Sequence, residues 1–141
     1  MIRVLKNTDI NAVVDIWLDV NQKAHDFISA QYWKNNYDLV KEILPQAEVY
    51  VYEDDQKIQG FIGVSGEYIE GLFVCDGMQS QGTGKRLLDF IKDRRTKLCL
   101  NVYQKNTRAI HFYKREGFKI QSEGLDEATG KKDYVMIWQQ K

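Results

Sequence analysis

The chain has 141 residues, 43% of them hydrophobic and 28% charged, which is typical of one folded domain spanning residues 1–141. Its 20 Lys and Arg residues balance 20 Asp and Glu residues, so no general attraction to nucleic-acid phosphates is expected. The two cysteines are too few for a disulfide framework, and together with the two histidines they match no zinc pattern. The charged amino terminus is unlike a secretion signal. We therefore expect a cytoplasmic domain without a metal or a membrane span.

The first third of the chain predicts one strand followed by two helices. Apolar and polar residues alternate over residues 2–5, as they do in a short strand. Apolar residues at helical spacing follow Thr8, which predicts a first helix. A second helical pattern begins after Ser29 and ends near Pro45, because proline disfavours helix in the residue before it.

The remainder predicts three strands and then alternating helices and strands. In chain order these are strands at 48–52, 58–64 and 68–75, a helix after a glycine loop at 79–84, a strand at 98–103, a helix at 107–116, and strands at 118–122 and 134–138. This order predicts a mixed α/β sheet with helices on both faces.

The loop Gln79-Ser80-Gln81-Gly82-Thr83-Gly84 is the first segment that indicates a ligand. A dinucleotide fingerprint needs a third glycine where Leu87 stands, and a Walker loop needs a glycine where Gln79 stands, so both patterns fail. Free backbone N–H groups at a helix start still favour phosphate oxygens, and glycines let the backbone approach them closely. Taken alone, the loop is either a phosphate site or a plain glycine turn.

Two blocks of the sequence resemble motifs of the GNAT superfamily of acetyl-CoA-dependent N-acetyltransferases. Residues 79–84 are similar to its coenzyme loop, Gln/Arg-x-x-Gly-x-Gly/Ala, with Ser80 and Thr83 replacing a frequent glycine and a frequent aliphatic residue. Residues 106–118 are similar to its Asn-x-x-Ala-x-x-Phe-Tyr-x-x-x-Gly-Phe block. The resemblance extends from the first strand to the last, and is greatest to small bacterial stand-alone members.

The resemblance implies a single N-acetyltransferase domain built on a central, mostly antiparallel sheet of six to seven strands. About four helices would cover its two faces, and the sheet would splay between the strands at 68–75 and 98–103. Acetyl-CoA, as a co-substrate, would place its diphosphate on the glycine loop and its pantetheine arm beside the strand before that loop. The implied coenzyme contacts are Phe73, Val74, Gln79, Gln81, Gly82, Thr83, Gly84, Lys85 and Asn106.

Tyr113 is the strongest candidate for a catalytic residue. It follows Asn106 by roughly two helical turns, so both side chains project from one helix face. The resemblance implies that this tyrosine lies near the sulfur as a general acid. A phenol with an ordinary pKa near 10 is protonated at neutral pH and can donate to a leaving thiolate. The alternative is a core tyrosine that packs beside Phe112.

Glu70 is the candidate general base. Strand alternation places it on one face with Tyr68, Leu72 and Val74. The resemblance implies that an acidic residue at this position acts through a water molecule. The alternative is a solvated or ion-paired carboxylate.

The acceptor site is expected around His25, Phe27 and Tyr68, since the segment between the first two helices shapes this site in similar proteins. For His25 alone, the alternative is a hydrogen-bonded loop histidine.

These features predict an enzyme that moves an acetyl group directly to a primary amine within a ternary complex. The acceptor would be a protein lysine, an amino terminus or a small amine, and the protein a monomer or a homodimer. A non-catalytic acetyl-CoA sensor or interaction module is the alternative; the presence of both Asn106 and Tyr113 favours the enzyme. A phosphotransfer domain would depend on the glycine loop alone, and the failed Walker spacing disfavours it.

Overall fold

The computed structural model describes residues 1–77 and 81–141. The strands of this part are β1 (Ile2–Val4), β2 (Glu48–Asp54), β3 (Lys57–Ser65), β4 (Tyr68–Val74), β5 (Lys97–Tyr103), β6 (Lys119–Asp126) and β7 (Lys131–Gln139). The helices are α1 (Ile10–Ala24), α2 (Ala30–Asn35), α3 (Tyr37–Ile43), α4 (Thr83–Lys92) and α5 (Thr107–Arg115), with 3₁₀ turns at Asn7–Asp9 and Leu44–Gln46. None of the helices in these ranges is long and apolar enough to cross a membrane.

All seven strands form one sheet in the order β1-β2-β3-β4-β5-β7-β6. Neighbouring strands are antiparallel except β4 and β5, which are parallel. The expected mixed sheet, mostly antiparallel and with up to seven strands, is therefore confirmed.

The parallel strands β4 and β5 are paired near the start of β4 and then diverge. Their register consists of the pair Tyr68↔Cys99, next to which the Cys99 N–H donates to the Glu67 carbonyl at 2.9 Å. Within the described ranges no further pair joins these strands, so the sheet opens between them toward Val74 and Tyr103. This opening, called the splay below, lies between the two strands where the resemblance implies it.

Helices cover both faces of the sheet, as expected, and each face has its own apolar core. On one face, α4 and α5 bury Leu87, Leu88 and Ile110 against the sheet. On the other face, α1 buries Val13 and Val14 against β2 and β3. The amphipathic spacing of these helices accounts for both layers, because burial of their apolar stripes removes hydrocarbon from water.

The segment from Ser29 to Pro45 forms two helices, α2 and α3, where the sequence pattern predicts one, so the described residues form five α-helices where about four are expected. The break lies at Asn36, whose side-chain Nδ2 donates to the Tyr32 carbonyl at 2.7 Å. An asparagine that bonds to its own backbone competes with the helix ladder, which explains the break.

A glycine in β3 is required where this strand passes the splay. A Cβ at Gly60 would lie 2.7 Å from the Phe73 carbonyl oxygen, whereas one at Gly63 would meet only side-chain atoms at 3.8 Å or more.

We therefore expect Gly60→Ala to lower the free energy of unfolding by about 1–3 kcal/mol. The matched variant Gly63→Ala should change it by less than about 1 kcal/mol. Urea unfolding followed by tryptophan fluorescence measures both, and equal stabilities of the two variants would contradict the close approach at Gly60.

Candidate active site

A cleft of about 840 Å³ lies between α4, α5 and the C-terminal end of α1, which contributes Val20, Lys23 and Ala24. Its walls include Leu72 and Val74 of β4, the start of α4 and most of α5. The cleft brings together these residues from the predicted coenzyme and catalytic sets: Val74, Gly82, Gly84, Lys85, Asn106 and Tyr113. Residues that are well separated in sequence thus meet at the open side of the splay.

The other predicted coenzyme residues are placed differently. The Phe73 ring points to the opposite face and stacks on Phe61 with ring centroids 5.0 Å apart. Its carbonyl oxygen faces Gly60 of β3, so its predicted contact with the coenzyme stays a prediction. The Thr83 side chain is buried under the first turn of α4, and the Gln81 amide donates to the Gly77 carbonyl at 3.3 Å. Gln79 lies outside the described residues.

The start of α4 carries a backbone conformation suited to an anion. Gly82 has φ +86°, a left-handed conformation that favours glycine, and it caps the helix without a side chain. The first N–H groups of the helix therefore lack a side-chain cap. The Lys85 ammonium is held by Asp89 at 3.2 Å and Glu116 at 3.1 Å. Backbone groups, more than this cation, make the start of α4 a candidate phosphate site.

Tyr113 has its ring in the core and lines the cleft at the same time. The residue is 8% exposed, and its ring packs against Phe112 and Phe118 with centroids 5.2 and 5.3 Å away. Burial raises the pKa of this phenol well above its ordinary value. Among the described residues, burial accounts for this shift without a contribution from a side-chain hydrogen bond to the hydroxyl. The protonated form that a general acid requires is therefore favoured, although its catalytic role stays a prediction.

Asn106 is at the end of a hydrogen-bond chain that joins α5 to α1. Its Oδ1 accepts the Ala109 N–H at 3.3 Å, so its Nδ2 faces the His25 Nε2 at 3.1 Å. The His25 Nδ1 then donates to the Asn21 Oδ1 at 3.0 Å, and the Asn21 Nδ2 donates to the Trp17 carbonyl at 2.9 Å. Each group has a partner only when the imidazole is neutral, and burial lowers the pKa of His25 to about 4.

His25 therefore has the hydrogen bonding of the alternative that we considered, a loop histidine with both nitrogens engaged. Its ring also contacts Phe27 and Tyr103, with centroids 5.7 and 5.0 Å away. A hydrogen bond from His25 to an acceptor would have to replace one of the existing bonds. Acceptor contacts by His25 and Phe27 stay predictions.

The predicted common face of Tyr68, Glu70, Leu72 and Val74 is wrong. Gly71 pairs with Gly63 and Ile69 pairs with Val64, so Glu70 is an extra residue in β4, a β-bulge. After the bulge, the residues of β4 that face each side of the sheet are exchanged. Leu72 packs with Ile69 on the side of α4 and α5. Glu70 is exposed and lines a separate cleft of about 690 Å³ together with Phe73. Glu70 and Tyr113 consequently lie on opposite sides of the sheet.

Two polar residues that the sequence analysis missed lie beside Tyr68. Asn101 of β5 accepts a hydrogen bond from the Tyr68 hydroxyl at 2.9 Å, and its amide donates to Asp133 of β7 at 3.2 Å. A polar residue among the alternating apolar residues of β5 and β7 was the available signal. In the described ranges no cluster of His, Cys, Asp and Glu is arranged to hold a metal.

A family model and two relatives of known name match this sequence. The model of the GNAT acetyltransferase domain matches residues 45–120. The peptidyl-lysine N-acetyltransferase YiaC of Escherichia coli K12 is 34% identical over 140 residues, 98% of this chain and 96% of that protein. The peptidyl-lysine N-acetyltransferase YjaB of the same organism is 33% identical over 132 residues, 92% of this chain and 89% of that protein.

Solved structures show the same fold. The solution structure of apo YjaB from Escherichia coli superimposes with a TM-score of 0.88 at 27% identity, covering 100% of this chain and 98% of that one. The Salmonella typhimurium protein yncA, solved with its cofactor acetyl-CoA, gives a TM-score of 0.72 at 16% identity, covering 100% and 94%.

The neutral state of His25 makes stability depend on pH. With a folded pKa of about 4 against an ordinary 6.5, the unfolded chain takes up the proton first as the pH falls. The contribution of neutral His25 to the free energy of unfolding is complete above pH 6.5 and is lost between pH 6.5 and 4, by about 3 kcal/mol. We expect urea unfolding at a series of pH values to show a shallower acid loss for His25→Gln. The control His111→Gln, at an exposed position of α5, should keep the wild-type slope; identical slopes in all three proteins would contradict a buried neutral His25.

Proposed function

The chain belongs to the GNAT family of acetyltransferases, and from this premise we propose that it transfers an acetyl group from acetyl-CoA to the side-chain amine of a protein lysine. The observation that carries the proposal is the β-bulge in β4, which places Tyr68 and Glu70 on one face of the sheet and Leu72 and Val74 on the other. It leaves a cleft with Tyr113 on one side of the sheet and Tyr68 with Glu70 on the other. The relatives YiaC and YjaB, named as peptidyl-lysine N-acetyltransferases, support the choice of lysine.

The donor enters from the side of α4 and α5. Its diphosphate lies on the backbone N–H groups at the start of α4, and its pantetheine arm runs along the splay edge of β4. The proposed contacts are Phe73, through its backbone, and Val74, Gln79, Gln81, Gly82, Thr83, Gly84, Lys85 and Asn106. Acetyl-CoA is a co-substrate and leaves as CoA.

The chemistry is a direct transfer. The lone pair of the neutral amine attacks the thioester carbonyl, the new C–N bond forms, and the C–S bond breaks. Tyr113 gives its proton to the departing thiolate, and burial favours the protonated phenol before that step. Glu70 accepts the amine's proton through water from its exposed position on the opposite face.

The acceptor enters from the side of α1 and α2, where Tyr68, His25 and Phe27 border the splay. Because donor and acceptor arrive from opposite faces, both can be bound at once, as direct transfer requires. Location in the cytoplasm and the choice between monomer and homodimer stay predictions.

Removal of the Tyr113 hydroxyl tests the general acid. We expect Tyr113→Phe to lower kcat about 10²-fold, the usual effect of losing one proton donor. The affinity for acetyl-CoA should change less than about twofold, because the ring and its packing remain. Tyr50→Phe on β2, whose hydroxyl bonds to Glu48 outside the cleft, is the control and should keep full turnover. Undiminished kcat in Tyr113→Phe would assign the proton to another group.

The proposed function is tested by calorimetry followed by mass spectrometry. Acetyl-CoA should bind saturably while ATP, the control ligand, should not. A peptide with one internal lysine should then gain one acetyl group as free CoA thiol appears, and the same peptide with arginine in place of lysine should not react. Acetyl-CoA binding without acetylation of any lysine peptide or free amine would contradict the enzyme and indicate the sensor.

A further inference from the structure

Three polar side chains form a hydrogen-bond chain across the closed end of the splay. The Tyr68 hydroxyl of β4 donates to the Asn101 Oδ1 of β5 at 2.9 Å, and the Asn101 Nδ2 donates to the Asp133 Oδ2 of β7 at 3.2 Å. We call this the Tyr68–Asn101–Asp133 chain. Its members differ in exposure: Tyr68 is half-buried, Asn101 in the middle is exposed, and Asp133 at the far end is 7% exposed. The chain thus leads from an open surface of the splay to a buried carboxylate.

Asp133 is unusual because it is buried without a cation. Among the ion pairs of residues 1–77 and 81–141, none includes Asp133. Its position also constrains the neighbouring strand, since a Cβ at Gly124 would fall 2.9 Å from its Oδ1. Removing a carboxylate from water is costly, and most buried carboxylates are paired with a cation. A role beyond stability therefore explains Asp133 better than packing does.

The carboxylate determines the direction of every bond in the chain. An ionised carboxylate only accepts hydrogen bonds, so the amide group of Asn101 must turn its NH₂ toward Asp133. The amide oxygen then faces Tyr68, and the Tyr68 hydroxyl proton must point at that oxygen. Burial, followed by the charge of Glu70, raises the pKa of Tyr68, so the hydroxyl keeps this proton. The phenol consequently presents a lone pair, and not its proton, to anything that enters the splay from this face.

The orientation of this hydroxyl matters for an amine nucleophile. An amine attacks through its nitrogen lone pair, and a hydroxyl that donated to that lone pair would block the attack. A phenol oxygen that accepts an amine N–H holds the nitrogen while its lone pair stays free. Tyr68 shares its face with Glu70, the proposed base, so it lies on the side from which the amine enters.

We propose that Asp133 is a positioning residue which, through Asn101, fixes Tyr68 as a hydrogen-bond acceptor for the amine of the acceptor substrate. This inference rests on the proposed function, because it assigns the amine to the face of Tyr68. Neither Asn101 nor Asp133 touches the reacting atoms. The arrangement selects acceptor groups that donate an N–H, and it keeps the nucleophile's lone pair unoccupied.

A double-mutant cycle with Tyr68→Phe and Asp133→Asn tests the proposal, with the single-lysine peptide as acceptor. An asparagine at 133 can present either an oxygen or an NH₂, so the direction of the chain is no longer fixed. We expect Asp133→Asn to raise KM for the peptide and to lower kcat/KM about 5- to 20-fold, at unchanged affinity for acetyl-CoA. In the Tyr68→Phe background the same substitution should change kcat/KM less than twofold. Glu123→Gln, at an exposed position of β6, is the charge-matched control and should behave as wild type.

An equal effect of Asp133→Asn in both backgrounds would overturn the proposal, since Asp133 would then act without Tyr68. If Asp133→Asn does not fold, Asn101→Ala replaces it in the cycle, because it breaks the chain and leaves the carboxylate in place. Its loss of kcat/KM should likewise require Tyr68, and a loss independent of Tyr68 would again overturn the proposal.

A readout without any acceptor separates this inference from the proposed function. In the NMR spectrum of the free protein, the side-chain NH₂ of Asn101 should resonate downfield and move upfield in Asp133→Asn. If no lysine peptide is acetylated but the Asn101 resonance still moves in Asp133→Asn, the result contradicts the proposed function and leaves the hydrogen-bond chain standing. If lysine peptides are acetylated but the Asn101 resonance is the same in the wild type and in Asp133→Asn, the result contradicts the Tyr68–Asn101–Asp133 chain and leaves the proposed function standing.

Discussion

The parting of β4 and β5 after the pair Tyr68↔Cys99 is the constraint on which the site depends. Parallel neighbours in a sheet normally keep their hydrogen bonds, and here the ladder stops where the cleft begins. The bulge at Glu70 adds a second effect, because one extra residue in β4 sends Leu72 and Val74 to one face and leaves Tyr68 on the other. One short strand thereby contributes to both walls of the gap, and a donor and an acceptor can reach the same point from opposite sides.

Two hydrogen-bond chains hold the ends of this gap in place. At the open end, His25 and Asn106 connect α1 to the first turn of α5 across 81 residues of sequence. At the closed end, Asn101 connects β4 to β7 through Tyr68 and Asp133. In both chains the direction of every hydrogen bond is fixed, because a single arrangement of donors and acceptors gives every member a partner. Polar networks of this kind limit how far neighbouring elements move, which suits a gap that has to keep two substrates in register.

The sequence predicts the order of the elements well, the resemblance implies the splay, and the strand pattern assigns Glu70 to the wrong face. The strand and helix periods and the glycine loop are local signals, so the α4 start and Tyr113 fall where expected. The bulge breaks the period of two on which the face assignment depended, although Gly71 inside the strand pattern was a signal for it. The helix break at Asn36 depends on one side-chain bond, and the partners of His25 and Tyr68 come from distant elements, so no local pattern predicts them.

This difference between the two sides has a physical origin. In the proposed function the donor is held mainly by backbone groups of one loop and one strand edge, and a short motif of glycines is sufficient to encode the loop. On the proposed acceptor side, side chains from α1, β4, β5 and β7 form hydrogen-bond networks that only the complete fold brings together. Substitutions on that side leave the coenzyme cleft intact while changing which hydrogen-bonding groups face the amine. A common donor site is therefore compatible with different acceptors, and the direction of the bonds around Tyr68, set from Asp133, is a property that folding alone can supply.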